Sequence, residues 1–71
     1  MPSIYSQDYR RFLKRLKQAR LDAGLTQVDV SKRLKVPQTV ISKMERGERR
    51  LDIVETARFA RLYKKALSYF G

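Results

Sequence analysis

Apolar residues recur at helical spacing in four blocks along the chain, with short polar breaks between them. In the first block Tyr9, Phe12, Leu13, Leu16, Ala19 and Ala23 form one stripe, while Arg10, Arg11, Lys14, Arg15 and Lys17 occupy the other faces. Ser6 stands where an N-cap belongs, and Gly24 can end the helix in a left-handed turn. The second block opens with Thr26 and Asp29, spaced as a capping box and flanked by Leu25 and Val30 as a hydrophobic staple. Its helix is expected over about 26–34, because Lys35, Val36 and Pro37 break the pattern and a residue before proline avoids helical backbone.

From Pro37 or Gln38 a third helix should run to Arg46, with Ile41 and Met44 as its apolar edge and Gly47 as its C-terminal cap. Beyond Glu48, Arg49 and Arg50, a second capping box of Asp52 and Glu55 opens a fourth helix. This helix carries the apolar residues Ile53, Val54, Ala57, Ala60 and Tyr63. No glycine marks its end, so the pattern leaves open a continuation through Tyr63–Lys65 into Ala66–Phe70. The fold class is therefore all-α, a compact bundle of four to five short helices. With 71 residues there is room for one domain, 1–71, and a chain this small buries only about 60% of its unfolded surface.

Charge changes the picture more than size does. Seventeen Lys and Arg against seven Asp and Glu give a net charge of +10, a field that attracts polyanions. Nucleic acid, an anionic membrane surface and an acidic protein all suit it, so patterning has to choose among them. Without Cys or His the chain has no thiolate nucleophile, imidazole base or common zinc site, which disfavours most enzymes and implies neither metal nor cofactor. No apolar run approaches the roughly 20 residues that span a bilayer, and no signal-peptide core follows the N-terminus, so a cytoplasmic location without membrane insertion is expected.

The third helix carries the functional hint. With Ile41 pointing inward at 100° per residue, Thr39, Lys43 and Arg46 point away from the core, Ser42 and Val40 lie on the two flanks, and Gln38 sits in the first turn. Amide, hydroxyl, ammonium and guanidinium groups on a helix too short to stand alone suit insertion into a DNA groove, although a solvated polar face has the same composition. Val40 could meet a thymine methyl or pack sideways on a neighbouring helix. Two helices of about nine residues joined by a turn of roughly three, held against a longer first helix, match a helix-turn-helix.

The order of Gly24-Leu25-Thr26-Gln27, Ser31-Lys32-Arg33-Leu34, Pro37-Gln38, Ile41-Ser42-Lys43 and Glu45-Arg46-Gly47-Glu48-Arg49-Arg50-Leu51-Asp52 resembles the Xre family of helix-turn-helix regulators, which includes phage repressors and Cro. The resemblance covers about Leu16 to Phe70 and implies a lambda-repressor-like fold in a bacterial or phage-encoded, nucleoid-associated regulator. It implies base contacts by Gln38, Thr39, Val40, Ser42 and Lys43. Phosphate contacts fall to Gln27, Arg46, Arg49 and Arg50, and an internal ion pair to Arg20 and Glu45. Lys35 replaces a frequent turn glycine, which would store about 1 kcal/mol at positive φ, and Pro37 replaces a usual Ser or Thr cap.

The expected partner is double-stranded DNA, bound by a homodimer on a pseudo-palindromic site, with no small-molecule ligand evident. Leu67, Tyr69 and Phe70, or Ile4 and Tyr5, are candidates for the dimer surface, with core closure the expected fate of Leu67 and Phe70. An antitoxin or other protein-binding member of the fold is the first alternative. A basic membrane-surface or RNA-binding peptide is the second, disfavoured by the capped short helices and the lack of clustered surface aromatics. An enzyme is disfavoured further, because Asp29, Asp52 and Glu55 are taken up in capping and Glu45 in an ion pair.

Overall fold

The structure is a computed structural model that describes residues 6–71, so Ile4 and Tyr5 lie outside the described residues. Every regular element among them is helical: α1 Gln7–Asp22, α2 Gln27–Leu34, α3 Gln38–Arg46, α4 Ile53–Tyr63 and a single 3₁₀ turn, Leu67–Tyr69. The starts follow the side chains that satisfy first-turn N–H groups. The Ser6 hydroxyl accepts from the Tyr9 N–H at 3.1 Å. Both capping boxes close reciprocally, Thr26 with Asp29 and Asp52 with Glu55. Pro37 precedes α3 with φ −55° and ψ 142° and offers no side-chain cap.

Each helix is closed by a left-handed residue, at the C-cap itself in α2, α3 and α4 and one residue beyond it in α1. Gly24 at φ 71° lets the Leu25 N–H donate to the Arg20 carbonyl at 3.1 Å, and Gly47 at φ 81° lets the Glu48 N–H donate to the Lys43 carbonyl at 2.8 Å. Lys35 and Lys64 take the same role at φ 57°. Lys35 thus meets the positive-φ condition under which strain is expected of it. Lys64 settles the question left open for α4: the helix stops at Tyr63, the Lys65 N–H donates back to the Ala60 carbonyl at 2.9 Å, and the chain restarts as the 3₁₀ turn.

Leu16, Ala19, Val30, Ile41, Met44, Phe59, Ala60, Tyr63 and Phe70 form the buried core, with Leu51 at its edge. Not all the apolar residues of α4 turn inward. Ile53 and Val54 are 70% and 65% exposed, because the first turn of α4 projects past the bundle, and Phe59 fills the place nearer its middle. Ala23 is likewise exposed, beyond the last inward turn of α1. Of the C-terminal pair expected to close the core, Phe70 is buried, its ring 6.0 Å from that of Phe12, whereas Leu67 is 48% exposed. Arg15 fastens this turn to α1, donating from Nη1 to the Tyr69 carbonyl at 2.9 Å.

Candidate nucleic-acid interface

At nine residues α3 is too short to persist alone, so its position is set by what its inner face buries. Ile41 is fully buried and Met44 nearly so, each worth about 1.5–3 kcal/mol on removal from water. On the opposite face Gln38, Thr39, Lys43 and Arg46 are exposed. Ser42 is half-buried on one flank, and Val40 on the other is half-buried and packs sideways against the core. Thr39 and Lys43 thus share the open face, Gln38 and Ser42 border it, and Val40 is partly turned away.

A chain of polar side chains joins this face to the interior. Arg20, on the inner side of α1, donates from Nε to Glu45 Oε2 at 2.7 Å and from Nη2 to Oε1 at 3.1 Å, while its Nη1 donates to the Leu25 carbonyl at 3.0 Å. The two side chains are 9% and 4% exposed. The hydrogen bond to Glu45 holds the Arg20 guanidinium above its ordinary pKa, against the opposing pull of burial. Glu45 as a carboxylate can only accept, so the Gln27 amide must turn its nitrogen to it, and Nε2 does donate to Oε1 at 3.2 Å. That leaves Gln27 Oε1 facing α3, where it accepts from Gln38 Nε2 at 2.9 Å. Gln38 keeps its carbonyl oxygen and one N–H free of this network, and Gln27 keeps one N–H. The expected ion pair is present. The link from it to Gln38 is beyond sequence reasoning, because it depends on how α2 sits on α3.

The three arginines expected on the phosphate track sit at the end of α3 and in the loop after it, each with a neighbour the sequence did not announce. Arg46 pairs with Glu48 at 2.9 Å in an exposed bridge, worth about 0–1 kcal/mol and open to exchange for a stronger anion. Arg49 pairs with Glu55 at 2.8 Å, and the same carboxylate closes the α4 capping box by accepting from the Asp52 N–H at 3.0 Å. Arg49 first, with the Asp52 N–H assisting, draws the Glu55 carboxyl below its ordinary pKa. Arg50 lies over the Tyr9 ring, its guanidinium carbon 4.9 Å from the centroid. Tyr9, read from the sequence as an inward apolar position, also fixes this loop: its hydroxyl accepts from the Leu51 N–H at 3.1 Å.

A buried inner face, an outer face of groups able to read base edges and a following cationic loop define a helix-turn-helix built on α2 and α3. A helix-turn-helix family model matches residues 16–70, most of the chain, and the protein belongs to this family of DNA-binding regulatory domains. The family is not one of enzymes, and its ligand is double-stranded DNA. No curated protein matches the chain. No helix among the described residues is long and apolar enough to cross a membrane, and no cluster of metal-ligating side chains occurs among them.

Proposed function

We propose that the protein is a transcriptional regulator of the Xre type that reads a pseudo-palindromic operator as a homodimer, with α3 in the major groove. The observation that carries this reading is the division of α3, with Ile41 and Met44 locked inward while Thr39 and Lys43 stand open to solvent. Gln38, Thr39, Ser42 and Lys43 face the base edges, with Val40 at the margin of the contact. Gln27, Arg46, Arg49 and Arg50 hold the phosphates on either side and set the register of the helix.

The second copy is assigned to the apolar groove bounded by Tyr9, Phe12, Leu51, Ile53, Leu67 and Phe70. Charge supports this choice. Two molecules at +10 repel, and this groove has two aspartates, Asp8 and Asp52, beside a single arginine, Arg50, whereas the depression on the far side of α1 is lined by Gln7, Arg10, Arg11 and Lys14. Half-site centres are then expected about 34 Å apart.

Selection of bound sequences from a random duplex pool tests the function, and a palindromic consensus is the expected result. On that consensus Lys43→Ala should cost about 1–3 kcal/mol and relax base preference, while Arg49→Ala should weaken all sequences alike. Recovery of no consensus, or identical behaviour of the two variants on selected and random DNA, refutes the reading. Sedimentation with the duplex tests the dimer, with Ile53→Glu expected to leave one protein per site.

A further inference from the structure

The family match begins at residue 16, yet α1 begins at Gln7. Its first nine residues, about two and a half turns, therefore extend beyond the matched family core. Arg10, Lys14 and Lys17 run along one flank of α1 across this junction, all exposed, and none pairs with a carboxylate among the described residues. The other two cations of the segment are engaged, Arg11 with Asp8 at 3.6 Å and Arg15 with the Tyr69 carbonyl.

The position of this flank is fixed by Leu13, which lies three residues after Arg10 and four before Lys17 and so shares their side of the helix. Leu13 meets the end of α3: a Cβ added to Gly47 would come within 2.9 Å of its Cδ1. About two turns further along α1, Arg20 grips Glu45 of α3. Arg10 and Lys17 therefore lie on the side of α1 that Leu13 turns towards the C-terminal end of α3, with Lys14 beside them. The Tyr9–Arg50 contact and the Tyr9–Leu51 hydrogen bond bring the same end of α1 against the cationic loop.

We propose that the N-terminal two-thirds of α1 is a second phosphate-binding element, with Arg10, Lys14 and Lys17 gripping the backbone of the same duplex that α3 reads and continuing the track of Arg46, Arg49 and Arg50. The proposal rests on the DNA-binding reading above. Unpaired cations beside an anion-binding surface gain counterion release on docking a polyphosphate, and such contacts add affinity without adding sequence preference.

The test compares two double variants of equal charge on the selected duplex: Arg10→Gln with Lys17→Gln on this flank, and Arg61→Gln with Lys64→Gln at the end of α4. Affinity is measured from low to high salt. The flank pair should flatten the dependence of log K on log salt by about 1.8 and weaken binding about thirtyfold near 0.15 M, with the base consensus unchanged. The α4 pair should change the slope little. Circular dichroism confirms that both variants are folded. An unaltered slope in the flank pair, or an equal loss in both pairs, overturns the proposal. Failure of the parent protein to prefer any duplex sequence instead overturns the reading of α3.

Discussion

Tyr63 offers a sharp test of how the interior is satisfied. It is the C-terminal residue of α4, 3% exposed, and its hydroxyl is fully buried with no hydrogen-bond partner among the described residues. A buried polar group left unpaired costs about 1–3 kcal/mol, whereas the void left by one missing oxygen is smaller than a methyl group and costs less than about 1 kcal/mol. Tyr63→Phe is therefore expected to stabilise the protein by about 1 kcal/mol, raising the thermal midpoint by about 4–8 °C for a domain of this size. A second signature lies at high pH. Burial first, and the Glu45 carboxylate second, push the Tyr63 phenol well above its ordinary value near 10. The folded state thus resists an ionisation that the unfolded chain undergoes freely. The contribution is fully present below about pH 10 and is lost as pH rises from there. The assay is urea or thermal denaturation followed by helical circular dichroism, for both proteins between pH 7 and 11. The variant should gain at neutral pH, and its lead should widen in alkali. A variant less stable than the parent, or a lead that stays constant with pH, refutes the account of an unpaired, ionisation-resistant hydroxyl.

Lys35→Gly and Lys64→Gly should each stabilise by about 0.5–1 kcal/mol, because the side-chain clash at φ 57° is relieved by more than the entropy glycine adds to the unfolded chain; a loss in chemical denaturation would contradict this. Glu45→Ala leaves the Arg20 guanidinium buried without its anion and should cost about 3–5 kcal/mol, while Arg20→Met with Glu45→Leu should cost far less, and equal losses would argue against burial of the pair.

Much of this architecture is legible from local chemistry. Both capping boxes, the glycine ends at Gly24 and Gly47, and the inward direction of Ile41 and Met44 depend on neighbours within one turn, and each lies where the spacing predicts. What local chemistry leaves out is where a helix lies relative to the bundle. Ile53 and Val54 are apolar and helical, yet nothing local says that the first turn of α4 overhangs the core, or that Phe59 is the residue at its centre. Lysine has no special liking for left-handed backbone, so the end of α4 at Lys64 leaves no mark comparable to Gly24. In the interface, the open face of α3 and the Arg20–Glu45 pair are visible in advance. The Gln27–Gln38 bond, the Glu55 clasp on Arg49 and the seat of Arg50 on Tyr9 need three-dimensional adjacency between separate elements.

The two-sided build of α3 also has an evolutionary meaning. Its grip on the scaffold comes from positions 41, 44 and 45, so the side chains at 39, 42 and 43, which the proposed function turns to the base edges, can be replaced with little disturbance to folding. If α3 reads DNA as proposed, substitutions on this outer surface alone would change the preferred sequence while leaving the core intact. Gln38 is the exception: tied to Gln27 and through it to the interior, it is the proposed contact position whose side chain the fold itself constrains.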